Sequence, residues 1–115
     1  ASISFADCRR VRVQDVELIN SPSWTINPVR CDDLVIDGVT IRNPADSPNT
    51  DGINPDSCSN VRIANCYISV GDDCITLKSG IESERSALMQ PCQNIAITNC
   101  IMADGHGGVV IGSEM

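Results

Sequence analysis

Three short stretches hold the side chains able to do chemistry. Gly71-Asp72-Asp73-Cys74-Ile75 sets two adjacent carboxylates between a glycine and an apolar run. Asn49-Thr50-Asp51-Gly52 supplies a third carboxylate upstream, and Gly105-His106-Gly107-Gly108 holds the sole histidine downstream. Close carboxylates with no cofactor motif suit acid–base hydrolysis of a glycosidic bond, one protonating the leaving oxygen while another activates water. Like charges side by side push one pKa up, which yields the protonated acid such a reaction needs. The rival chemistry is Ca²⁺ binding by the same three aspartates, although Asp56 lies beyond the strand and a histidine is an unusual neighbour for that ion. Serine or cysteine nucleophile chemistry is disfavoured, because His106 has no Ser or Cys partner at a comparable turn.

The elements that position these groups form a repeat. Cys8, Cys31, Cys58 and Cys92 each open a similar unit. An alternating apolar triplet follows each: Val11-Arg12-Val13, Leu34-Val35-Ile36, Val61-Arg62-Ile63 and Ile95-Ala96-Ile97. Then come an Asp/Asn turn and a second triplet, Val16-Glu17-Leu18, Val39-Thr40-Ile41, Cys66-Tyr67-Ile68 and Cys100-Ile101-Met102. After a variable loop a third strand arrives, around Thr25-Ile26, Gly52-Ile53, Cys74-Ile75-Thr76-Leu77 and Val109-Val110-Ile111. Period-two alternation, three short strands per unit and a common direction predict an all-β fold, a right-handed single-stranded parallel β-helix of about four coils. The four unit-opening cysteines should make one inward ladder, and Ile26, Ile53, Ile75 and Val110 another.

Register then assembles the chemistry. Asp51 stands two residues before Ile53, Asp73 two before Ile75 and His106 four before Val110. With stacked strands about 4.8 Å apart, Asp51 and Asp73 should share a rung on adjacent coils, with His106 one coil further. An aspartate alone in a solenoid turn is usually a backbone-capping residue, and a lone histidine among glycines is usually structural; shared register raises the group above that. Regular alternation would send Asp72 and Asp73 to opposite faces, so Gly71 is expected to break the strand and turn both outward. Extra residues at 43–48 and 79–91 should wall the binding face.

Composition limits the partners. The 115 residues carry a formal charge of −7, which argues against nucleic acid and anionic membranes. Apolar residues make up 42%, yet only Phe5, Trp24 and Tyr67 are aromatic, so Ile, Val and Cys must build a narrow core. No apolar run reaches the roughly 18 residues of a membrane span, and residues 1–5 have no signal-peptide character. Seven cysteines, an odd number without a CxxC pair, suit buried thiols, with one or two disulfides as the alternative. Both ends read as strand rather than cap, so residues 1–115 are expected to be the central part of one longer β-helix, its caps and later coils lying elsewhere.

Asn49-Thr50-Asp51, Gly71-Asp72-Asp73 and Gly105-His106-Gly107 resemble three of the four signature motifs of the polygalacturonases, glycoside hydrolase family 28. The longer strings Asn49 to Cys58, Gly71 to Ile75 and Gly105 to Ser113 are similar to its bacterial branch. The resemblance implies hydrolysis of α-1,4-linked galacturonan, the pectin backbone, with inversion, without metal or other cofactor, by a secreted or periplasmic monomer. It implies Asp72 as general acid, Asp51 and Asp73 as the water-activating pair, and His106 as the residue tuning the acid or contacting substrate. Asn49, Gly105 and Gly107 would line the substrate, an acidic polysaccharide or oligogalacturonide. The family's fourth motif, Arg-x-Lys, is absent before Met115, leaving Lys78 as the cationic candidate for the substrate carboxylate and placing the activity of this segment alone in doubt. Cys74 and Cys100 fall where some relatives have a disulfide.

Overall fold

The structure, a computed structural model, describes residues 1–79 and 90–112. Those residues form twelve strands and no helix: β1 (Ile3–Ala6), β2 (Arg9–Gln14), β3 (Glu17–Ile19), β4 (Ile26–Val29), β5 (Asp32–Asp37), β6 (Thr40–Arg42), β7 (Ser59–Ala64), β8 (Tyr67–Ser69), β9 (Ile75–Leu77), β10 (Gln93–Thr98), β11 (Ile101–Asp104) and β12 (Val109–Ile111). Every pairing is parallel and joins one coil to the next. The first sheet stacks β2, β5, β7 and β10; the second stacks β3, β6, β8 and β11. The third runs from β1 through β4 to β9 and β12, and the second coil joins it only by bridges at Ile53 and Asp56. The chain is a right-handed parallel β-helix, the hand taken almost without exception by parallel crossovers.

The interior follows from the register. Leu34 stacks on Val61 and Ile36 on Ile63 in the first sheet, Ile41 on Ile68 in the second, and Ile26 on Ile53 on Ile75 in the third. All nine are 0% exposed, and each contributes on the order of 1.5–3 kcal/mol relative to a solvent-exposed position. The third ladder continues into Val109, not Val110 as the spacing suggested: Val109 pairs with Ile75, and Val110 pairs with Thr76 on the outer face. Two adjacent valines make that one-residue choice invisible to hydropathy.

Cysteines line two corners. Cys8, Cys31, Cys58 and Cys92 directly precede the register-matched residues Arg9, Asp32, Ser59 and Gln93, which stacks them as expected. Each donates its thiol to a carbonyl, as Cys58 does to Asp56 O at 3.3 Å and Cys66 to Ala64 O at 3.2 Å. All seven are free thiols, Cys74 and Cys100 included. Burial pushes Cys58 up to about 12 and Cys66 and Cys74 up to about 11. They are small hydrophobes kept protonated by their surroundings.

The turn between the first two sheets is the same in every coil. Asp15, Gly38, Asn65 and Asn99 occupy it, all with φ between 49° and 67°. Asn, Asp and Gly are the residues that tolerate this left-handed backbone. Asn65 Nδ2 donates to Asp37 Oδ1 at 3.0 Å and Asn99 Nδ2 to Asn65 Oδ1 at 2.8 Å, so the corner also carries a side-chain ladder. Of the two insertions, 43–48 is described and most of 79–91 lies outside the described residues.

Candidate active site

The corner between the second and third sheets differs in each coil, and the carboxylates stand there. Backbone bonds set their heights: Thr25 N–H donates to Asp51 O (2.8 Å), Gly52 N–H to Asp73 O (3.0 Å) and Cys74 N–H to Gly107 O (2.8 Å). Trp24, Asp51, Asp73 and Gly107 therefore occupy one line up the helix, two residues before Ile26, Ile53, Ile75 and Val109. His106 N–H donates to Asp72 O at 2.8 Å, which places the histidine above Asp72 rather than above Asp73.

Asp72 and Asp73 both reach the groove because the chain bends at Gly71 and Asp72 instead of running as a strand. The bend falls at Gly71 as expected. Its φ is not left-handed; what matters is space. A Cβ there would collide with the carbonyl of Ser47 and lie 2.7 Å from that of Pro44. The inserted loop thus closes directly onto the Gly71 backbone, and Gly71 N–H donates to Thr50 Oγ1 at 3.0 Å, itself bonded to Ser47 O at 2.9 Å. Asn43 anchors the loop's start by donating to Thr25 Oγ1 (2.8 Å) and accepting from Ser21 N–H (2.7 Å).

Asp51, Asp72 and Asp73 converge, each offering one oxygen within 4.8 Å of the others. Asp51 is buried, and its Oδ2 accepts from Asn54 Nδ2 at 3.1 Å and Thr76 Oγ1 at 3.5 Å. Burial raises its pKa; the charges of Asp72 and Asp73 push the same way, against the Asn54 hydrogen bond and the Lys78 charge. Asp72 Oδ1 accepts from the Asp73 N–H at 2.9 Å and lies 3.6 Å from His106 Nδ1. His106 is largely exposed, at the rim. The three oxygens could also ligate a hard cation, the donor set such ions prefer.

A groove of about 350 Å³ is lined by Trp24, Asn49, Asp51, Asp72, Asp73, Lys78, Val110, Ile111 and Gly112. Asn49 and Lys78 thus share it with the carboxylates. Gly105 and Gly107 are not among its lining residues. They let the histidine turn pack tightly: a Gly105 Cβ would lie 2.8 Å from Asp72 O and from Cys74 Sγ, and a Gly107 Cβ 3.2 Å from Asp73 Oδ1. Sequence reasoning missed Trp24, although the two-before-isoleucine rule that aligned Asp51 with Asp73 also selects it. Asn54 and Thr76, which hold Asp51, stand together one residue after Ile53 and Ile75.

Three carboxylates and a histidine thus share one irregular corner of a parallel β-helix. The chain belongs to glycosyl hydrolases family 28, whose model it matches over residues 1–115. It is 43% identical over 106 residues to a probable polygalacturonase of Vitis vinifera and 40% identical over 101 residues to an exopolygalacturonase of Zea mays, covering 91% and 88% of this chain. It spans 22% of the length of each of those relatives. Among solved structures, a hyperthermoactive exopolygalacturonase from Thermotoga maritima superposes with TM-score 0.91 at 38% identity, over 97% of this chain and 25% of that one. The polygalacturonase of Erwinia carotovora gives TM-score 0.83 at 29% identity, over 95% of this chain and 30% of that one. Both plant and bacterial proteins therefore share this segment.

Proposed function

We infer that the chain forms central coils of a polygalacturonase-type catalytic domain that hydrolyses the α-1,4 bonds of galacturonan. The observation that carries this is the meeting of Asp51, Asp72 and Asp73 within 4.8 Å in one groove. Asp72, beside His106 at the rim, protonates the leaving oxygen. Asp51 and Asp73, on adjacent coils, hold and deprotonate the attacking water. The elevated pKa of Asp51 makes it a stronger base wherever it is ionised. Asn49 and Lys78 contact the acidic substrate. The reaction calls on no resident metal, and a pectin-directed enzyme of this kind acts outside the cell, as a monomer.

Inversion is part of the reading, with one tension. Inverting carboxyl groups usually stand roughly 6.5–9.5 Å apart, retaining ones roughly 5–5.5 Å; the nearest oxygens here are tighter than the first range. Proton NMR of the first product settles it: inversion of an α-linked substrate releases the β-anomer, whereas the α-anomer first would mean retention. Asp72→Asn in the full-length protein should lower reducing-sugar release from polygalacturonate by about 10²–10⁴-fold with the melting temperature preserved. Undiminished hydrolysis would refute the assignment. Calorimetric Ca²⁺ binding abolished by Asp51→Ala, without any hydrolysis by the wild type, would replace it with a non-catalytic solenoid that binds a cation or carbohydrate.

A further inference from the structure

Trp24 is the sole tryptophan of the chain and neither core nor fully exposed. It stands on the coil below Asp51, on the same line as the carboxylates, about 4.8 Å lower by strand spacing. The Lys78 Nζ lies 4.5 Å from the centre of its ring and 3.4 Å from Gly112 O. Lys78 is only 5% exposed, and both side chains line the carboxylate groove. An aromatic ring with a cation held over one face is a composite surface. The ring offers an apolar platform to the C–H face of a pyranose, and the ammonium offers a charge to a substituent at that ring's edge.

We propose that Trp24 and Lys78 form one sugar subsite next to the point of cleavage, the ring stacking the sugar and the ammonium reading its carboxylate. This deepens the reading of the groove as a galacturonan site and rests on it. The pair selects a uronate over a neutral or esterified sugar, because an ammonium favours an anionic partner over a neutral one.

The test is calorimetric binding of digalacturonate, and of its methyl ester, to the full-length protein bearing Asp72→Asn, so that binding is read without turnover. Trp24→Leu should weaken both ligands on the order of tenfold, and Trp24→Phe should restore most of that, since stacking survives in a smaller ring. Lys78→Met should weaken digalacturonate on the order of tenfold or more and the methyl ester little, with Lys78→Arg recovering the preference for the acid. Melting temperatures within a few degrees of the parent exclude unfolding as the cause; if Lys78→Met unfolds, the Lys78→Arg and Trp24 pair still decide. Unchanged affinity in Trp24→Leu, or equal losses for acid and ester in Lys78→Met, would overturn the proposal. Tight digalacturonate binding by a wild type that never cleaves would sink the hydrolase reading while leaving the subsite standing.

Discussion

Two corners of the same solenoid behave in opposite ways. Between the first and second sheets, Asp15, Gly38, Asn65 and Asn99 repeat one left-handed turn, tied by amide-to-oxygen bonds. Between the second and third sheets, the Asn43 to Thr50 loop, the Gly71-Asp72 bend and the Gly105-His106 turn share no common conformation. The first corner fixes the height of each coil. The second uses that fixed height to bring unlike side chains together. Stacking makes register a global property, so one regular corner suffices, and the other is released to carry chemistry.

The sharpest way to break the contrast is to fill the irregular corner. Gly71→Val would drive side-chain carbons into the carbonyls of Ser47 and Pro44. Backbone cannot yield as a flexible side chain can, so the cost should be about 1–3 kcal/mol, the usual range for overpacking. The displaced loop should also carry Thr50 and Asn49 out of position. Hydrolysis should therefore fall by more than the stability loss explains, as measured by denaturant unfolding beside a polygalacturonate assay. The regular corner should respond otherwise. Asn65→Ala places a residue without a local hydrogen bond at φ 56° and removes both ladder bonds. It should cost roughly 1–2 kcal/mol while kcat/KM stays within about twofold, because nothing in the groove touches it.

The difference between the corners also explains what could be read beforehand. The coils, the cysteine ladder and the shared rung of Asp51 and Asp73 were legible because the regular corner repeats in sequence as it does in space. Val110 was misplaced where two valines made either register equally apolar. The break at Gly71 was legible, but not its full reason, a loop closing from another coil, because sequence distance hides such an approach. Trp24 was not legible for a related reason: an aromatic at the same offset carries no acid–base signal. The free state of the thiols was not legible, since an odd cysteine count allows pairs as easily as none.

Asp51 offers a gentler test, in which the irregular corner should gain stability from losing its chemistry. Burial and two neighbouring carboxylates raise its pKa, so the folded state holds that proton more tightly than the unfolded chain does. The sign follows from linkage: as pH climbs from the ordinary 3.8 through the folded value, Asp51 becomes a net penalty, and remains one at neutral pH. Asp51→Asn removes the charge and keeps an acceptor for Asn54. Its melting temperature should exceed the wild type's at pH 7, and the gap should close as pH falls below 3.8. A matched pair of thermal scans reads this directly. A lower melting temperature at pH 7 would mean that the Asn54 and Lys78 interactions outweigh burial.

The smallest expected effect lies in the thiols beneath both corners. Cys66 sits under the regular corner, Cys58 at the corner between the third and first sheets and Cys74 under the carboxylates, and all three are held well above ordinary thiol values by burial. The thiolate is the reactive form, so none should alkylate in the folded protein at pH 8. Gly71→Val sharpens the comparison here, because loosening the irregular corner should expose Cys74 to iodoacetamide before Cys66. Peptide mapping that found Cys66 labelled first would show that the two corners open together, and that the regularity of one does not insulate it from strain in the other.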